Sequence, residues 1–251
     1  MVIRMQTIRT EYVPELLAEW KNKVTEEQIT KQLTEYAEQF DSVIKNENQR
    51  VHFENYIKGL MSNLERKSVE PIALRITGEK GVRSLQQFMK RSPLDDELIL
   101  DTHQNNLNTV SSRNGMVSVD STENAKKGKN SAGVGRQYCG RLGKIENCQS
   151  GVFCAYAGEN GYGLVDRELY IQEKRFTDEY AEMRAECGIP DGKEFKTKNK
   201  IALEMLTETI NKNVLNVKWV GCDAAFGSDY NFLGSVDASW NTRILSRFFA
   251  R

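Results

Sequence analysis

The chain changes its hydrophobic rhythm near residue 115, and the order of elements after that point most restricts its fold. "GMVSVD" (115–120), "CQSGVFCAYAG" (148–158) and "GLVDRELYI" (163–171) are apolar runs of β type, and the Gly-rich "GENGYG" between the last two suits a hairpin turn. Helical periods follow at 178–187 and 199–213, the second carrying Ile201, Leu203, Met205, Leu206 and Ile210. "VKWVGCD" (217–223) is a further strand, with a short helix expected near 229–235. Three strands, helix, strand, helix is an α/β order. In it the first and fourth strands can lie side by side and parallel.

The preceding part is of a different kind. Over 11–64, Val24, Ile29, Leu33, Tyr36, Phe40, Val43 and Ile44 recur at three-to-four spacing, and Phe53, Tyr56, Ile57, Leu60 and Leu64 repeat the pattern. Thr25-Glu-Glu-Gln28 has the form of a capping box. A further helix is expected over 81–90, and "SPLDDELIL" (92–100) has the form of a capped helix start. "HQNNLNTVSSRN" (103–114) is polar and without period, and is expected to be a linker into the β-rich region.

Composition narrows the function. The 35 basic and 35 acidic side chains balance, so any nucleic-acid contact must come from local patches. Five cysteines without a C-x-x-C pair argue against a disulfide framework and point to a reducing cytosol. Two histidines leave little for a His-rich zinc site or a Ser-His-Asp relay. The start is too polar for a signal peptide, and no apolar run reaches membrane length, so a soluble protein without membrane contact is expected.

Two aspartates stand out because each closes a β-type run: Asp120 after "GMVSV" and Asp223 after "VKWVGC". On adjacent strands, two such carboxylates can share a divalent cation, with water and phosphate completing the oxygen ligands. Singly, an aspartate after a strand is more often a loop-capping or turn residue than a metal ligand. The glycine-punctuated stretch after Asp120 carries Lys126, Lys127, Lys129, Arg136, Arg141 and Lys144, a set suited to a DNA backbone or to a solvated turn. It fits neither a Walker A loop nor G-x-G-x-x-G. A second basic run, from Lys58 through Arg66, Lys67, Arg75, Lys80, Arg83 and Lys90 to Arg91, suits a duplex contact or a solvated helical face.

"NLERKSVEPIAL" (63–74), "LQQFMKRSPLDDE" (85–97), "VDSTENAKKGKNSAGVGRQYCGRLGKIENCQ" (119–149), "FKTKNKIALEML" (195–206) and "CDAAFG" (222–227) together resemble bacterial insertion-sequence transposases of the DDE superfamily. The signature reads Lys126-Lys127-Gly128, Ser131, Gly133-Val134, Arg136-Gln137-Tyr138 and Gly140, and the likeness runs from about residue 50 to 237. It implies an RNase H-like α/β core with a mixed sheet over 115–251, incomplete at its C-terminus, after a helical DNA-binding region over 1–110.

The resemblance places the first catalytic and metal-binding acid at Asp120, with Thr122, and the second at Asp223, with Phe226 and Gly227. It implies Mg2+, with Mn2+ able to substitute, and DNA contacts by Lys126, Lys127, Lys129, Arg136, Gln137, Tyr138, Arg141 and Lys144. The partners it implies are double-stranded DNA, as transposon ends and target, and further copies of the chain on paired ends. It also implies a bacterial cytoplasm and association with the nucleoid. The activity implied is strand cleavage and transfer by phosphoryl transfer.

The family's third acid, a Glu in a Tyr…Arg…Glu…Lys pattern on a later helix, has no counterpart here. Only Asp229 and Asp237 follow Asp223, and "SWNTRILSRFFAR" leaves the pattern. A truncated transposase lacking its third acid is therefore expected, with a non-catalytic end-binding repressor or an inactive remnant as the alternatives.

Overall fold

The computed structural model describes residues 26–111, 114–239 and 243–246. The chain divides into two compact units, residues 1–99 and 100–251.

The first unit is helical: α1 (Glu26–Glu38), α2 (Glu47–Met61), α3 (Val69–Ile76), α4 (Glu79–Arg91) and the first turn of α5 (Asp96–Val110). The periodicity across 11–64 resolves into two helices with a break between them, while residues 11–25, including Thr25 of the capping box, lie outside the described residues. Asn46 caps α2, its Oδ1 accepting from the Asn48 N–H at 2.9 Å. The break still contributes to packing, since Phe40, Val43 and Ile44 are buried there with Phe53 against them. A second cluster joins Ile72 and Ala73 of α3 to Leu85 and Phe88 of α4.

The second unit is built on a mixed sheet. β1 (Gly115–Ala125) lies antiparallel to β3 (Lys144–Ala157), which also pairs antiparallel with β4 (Tyr162–Tyr170) and, through its first residues, with β2 (Gly135–Cys139). On its other side β1 runs parallel to β5 (Val217–Cys222), and β5 runs parallel to β6 (Arg243–Ser246). The expected adjacency of the "GMVSVD" and "VKWVGCD" strands is therefore found. Between strands come α6 (Ala181–Glu186), α7 (Lys198–Asn211), α8 (Ala224–Gly227) and α9 (Tyr230–Ser239). This is the α/β mixed sheet, after a helical region, that the resemblance implied.

One face of the sheet makes the core. Val117, Val119, Val152, Cys154, Tyr156, Val165, Val220 and Cys222 are buried against Ile201, Ala202, Met205 and Leu206 of α7, with Phe226, Phe232 and Val236 beside them. Each such aliphatic side chain stabilises the fold by about 1.5–3 kcal/mol, and α7 packs on this face of the sheet.

Three expectations are corrected. Residues 103–110 are not linker but the second half of α5. Its inward residues are Gln104 and Leu107, with the Gln104 amide donating to the Val165 carbonyl at 2.7 Å, so a buried polar side chain hides the helical stripe. Asp120 does not end its strand: β1 continues to Ala125 because β3 is long enough to pair with all of it. The stretch after Asp120 is only partly loop, since Gly135–Cys139 form β2 and Gly140–Leu142 a single 3-10 turn. Among the described residues no helix is long and apolar enough to cross a membrane.

Candidate active site

The parallel pairing of β1 with β5 ends at Val119 opposite Cys222, so Asp120 and Asp223 are the next residues of the two strands. Relative to β5, both acids stand at the carboxyl end of the pairing, although β1 itself runs on. Each is anchored through one oxygen. Asp223 caps α8, its Oδ1 accepting from the N–H groups of Ala225 at 3.0 Å and Phe226 at 3.2 Å. Asp120 Oδ1 accepts from the Ser121 N–H at 2.7 Å. Among the described residues, Oδ2 of neither aspartate has a hydrogen-bond partner. Asp120 reaches solvent, yet its crowded carboxyl is pushed above the usual carboxylate range, first by desolvation and then by the charges of Asp223 and Glu123. The Ser121 N–H and the Lys198 charge oppose that rise.

Two neighbouring carboxylates with their free oxygens unmatched, one of them resisting ionisation, are a donor set that fits a hard divalent cation. Among the described residues no group of three or more His, Cys, Asp or Glu side chains is arranged to hold a metal.

Beside the pair lies a buried ion pair that the sequence reading did not single out. Glu123 points to the helix-covered face of β1 and is buried. Its Oε1 accepts from Lys198 Nζ at 2.9 Å and Ser150 Oγ at 3.1 Å, and its Oε2 from the Gly140 N–H at 3.2 Å. Lys198 opens α7 and also lies 5.6 Å from the Tyr170 ring centroid. Burial alone would raise the Glu123 carboxyl. The hydrogen bond and charge of Lys198, with Ser150 and Gly140, outweigh burial and hold it below the ordinary range. This one side chain ties β1, β3, α7 and the turn after β2 together. The sequence signal was an acid on the inward phase of a strand, three positions after Asp120.

The signature stretch is held by its backbone and displays its cations. Asn147 donates to the carbonyls of Lys126 at 2.6 Å and Gly128 at 2.9 Å, and Gln149 to Ala132 at 2.8 Å. Gln172 donates to the Gly133 carbonyl at 3.2 Å, and the buried Arg175 guanidinium to that of Val134. Gly133 has φ of +69° and sits against the Tyr170 carbonyl, so a side chain there would be both strained and blocked.

Lys126, Lys127, Lys129, Arg136, Tyr138, Arg141 and Lys144 are all exposed. Lys144 forms an ion pair with Glu146 at 3.2 Å. Gln137 is different: its amide donates to the Cys148 carbonyl at 3.0 Å, which engages it within the hairpin. The register puts Asp120 opposite Phe153, Arg136 opposite Asn147 and Tyr138 opposite Ile145. The odd-numbered residues of β3 share one face, so Arg136 and Tyr138 lie on the face of Asp120. In the helical unit, Lys58 is paired with Glu54 and Lys67 donates to the Leu60 carbonyl.

A family model described as "DDE superfamily endonuclease" matches residues 39–248. A probable transposase for insertion sequence element IS701 from Microchaete diplosiphon is 27% identical over 210 residues, which cover 81% of this chain and 50% of the relative. The chain thus spans about half the length of that curated relative.

Proposed function

The chain belongs to the DDE superfamily endonucleases, and from that membership we propose that it acts in DNA transposition, binding transposon-end DNA and engaging it in metal-dependent strand cleavage and transfer. The observation that carries this reading is the adjacency of Asp120 and Asp223 past the last β1–β5 pair, each with one oxygen anchored and one free. Asp120 and Asp223 would hold Mg2+, or Mn2+ in its place. When bound, the ion supplies charge stabilisation at the phosphate and a lower pKa for an attacking hydroxyl. The chain's own groups do the rest. The Ser121 N–H and the first N–H groups of α8 orient the carboxylates. Lys126, Lys127, Lys129, Arg136, Arg141 and Lys144 neutralise the strand's phosphates, with Tyr138 beside them. In this reading residues 1–110 serve DNA binding and 115–251 form the catalytic core. Several copies assemble on paired ends, in a bacterial cytoplasm and associated with the nucleoid.

A second reading, an end-binding repressor without cleavage, is suited by the same exposed cations of the signature stretch, which can hold DNA whether or not it is cut. One experiment separates the two. Purified chain is incubated with Mg2+ and a supercoiled plasmid carrying the element's ends. Nicking that disappears in Asp120→Ala supports the catalytic reading. End-specific binding that persists in Asp120→Ala, without nicking in either protein, supports the repressor. Neither binding nor nicking would sink both.

A further inference from the structure

The hairpin of β2 and the start of β3 carries an apolar pair that neither the carboxylates nor the cations use. Tyr138 and Ile145 oppose each other in the register and are 59% and 61% exposed. Leu142, in the turn between their strands, is exposed as well. Cross-strand aromatic–aliphatic pairs usually pack beneath a further layer, and here the outer side is bare.

The hairpin is fastened at several points. The Gly140 N–H is held by Glu123, the Gln137 amide by the Cys148 carbonyl, and Cys139 and Cys148 are fully buried on the inward side. Gly143 closes the turn with φ of +65°. The exposure of Tyr138 and Ile145 therefore belongs to the fold and not to a frayed end.

Charge identifies the occupant. From Asn124 to Ile145 the sequence holds six cations, Lys126, Lys127, Lys129, Arg136, Arg141 and Lys144; of the flanking acids, Glu146 pairs with Lys144 and Glu123 with Lys198. All six are exposed. An apolar patch inside such a field matches a polyanion that also presents flat apolar surfaces, which is nucleic acid. A second copy of this chain, with a formal net charge of +0, is less well matched as a whole than a polyanion, and the test below includes it as an outcome. The register adds direction, because Tyr138, Ile145 and Asp120 share one face of the sheet.

We infer that Tyr138 and Ile145 form a stacking platform for a DNA base that has left its helical stack, on the sheet face of Asp120 and eight β3 positions along from it. This rests on the strand-cleavage reading above. A paired base is covered on both sides by its neighbours and cannot lie on a sheet face. An unpaired or opened base can, and base–aromatic stacking tolerates any base. The cations grip the backbone of either DNA, and the platform tells opened duplex from closed.

The test uses the full chain and two fluorescent 30-base-pair duplexes, one fully paired and one with a single unpaired 2-aminopurine. Anisotropy gives Kd over a range of salt, and 2-aminopurine emission reports stacking. Wild type is expected to prefer the bulged duplex and to quench its 2-aminopurine. Tyr138→Ala removes the preference, weakening bulge binding by about five- to hundred-fold, with the salt slope unchanged. Tyr138→Phe retains it, and Arg136→Ala lowers the slope by about 0.9 without touching the preference. Because Tyr138 is exposed, unaltered melting of Tyr138→Ala is expected and is checked alongside. Equal binding to both duplexes, or a preference that survives Tyr138→Ala, overturns the platform while leaving the cleavage reading intact. No binding to either duplex overturns both. Self-association of wild type that Tyr138→Ala abolishes would reassign the patch to a second copy and overturn the inference.

Discussion

Replacing Glu123 by alanine should destabilise the second unit although no apolar core is opened. Glu123 accepts from Lys198, Ser150 and the Gly140 N–H, and its side chain is 9% exposed. Removing one partner of a buried ion pair costs about 3–5 kcal/mol. Lys198, however, keeps 29% of its side chain exposed and can turn toward water, which lowers the expectation to about 2–3 kcal/mol. For a unit of this size that corresponds to about 4–12 °C in Tm, read by calorimetry or by urea unfolding followed by circular dichroism.

The pH dependence has a definite sign. The folded carboxyl lies below its ordinary value of 4.5, so the pair's stabilisation is present above that pH and is lost as pH falls through the folded pKa. Wild type and Glu123→Gln should therefore converge in stability in acid and diverge at neutral pH. A double-mutant cycle with Lys198→Met should give a coupling of about 1–2 kcal/mol at pH 7. A loss below about 1 kcal/mol for Glu123→Ala, or a gap between wild type and Glu123→Gln that stays constant with pH, would refute the reasoning.

If Asp120 and Asp223 share a cation, Mg2+ or Mn2+ at ten times its Kd should stabilise the second unit by about 1.4 kcal/mol. In a thermal-shift assay Asp120→Asn and Asp223→Asn should each lose that gain. The gain should also fade as pH falls through the raised pKa of Asp120, since protons then compete for the carboxylate. Gly59→Ala should destabilise the helical unit despite the better helix propensity of alanine, worth about 1 kcal/mol. A Cβ there would lie 2.2 Å from Ile72 Cγ2, and overpacking costs about 1–3 kcal/mol; a raised Tm would show that Ile72 can move aside. Thr197→Ala should cost about 1 kcal/mol in urea unfolding, because Thr197 Oγ1 accepts from the Lys200 N–H at the start of α7; an unchanged midpoint would show the cap to be idle.

The parts of the fold legible in the sequence are those whose apolar residues fall in one period. The runs at 115–120, 148–158, 163–171 and 217–223 each became a strand, and the stripe from Ile201 to Ile210 became α7. Where a polar residue takes an inward position, the period disappears. Gln104 does so in α5, its amide NH2 donating to the Val165 carbonyl across 61 positions of sequence, and no local pattern reports that partner. The room for α5 is made by Gly161, in the turn before β4, and by Gly163, within β4. A Cβ at Gly161 would meet Val110, and one at Gly163 would meet His103, so those glycines make room for the helix that was read as linker.

The aspartates were legible for a related reason and the rest of the site was not. A carboxylate ending an apolar run breaks a pattern, so Asp120 and Asp223 could be picked out before any contact was known. Glu123 breaks no visible pattern, because Ser121–Ala125 is polar throughout and owes its strand conformation to β3. Its burial follows only from phase: residues 117, 119, 121 and 123 alternate onto the face that α7 covers. An acid placed there must find a cation or lose its charge. Lys198 stands at the first position of α7 to supply one. β1, the helix behind it and the turn after β2 thus meet at a single ionised side chain. Displacing that side chain should move the cation-bearing hairpin relative to Asp120 while leaving both aspartates in place.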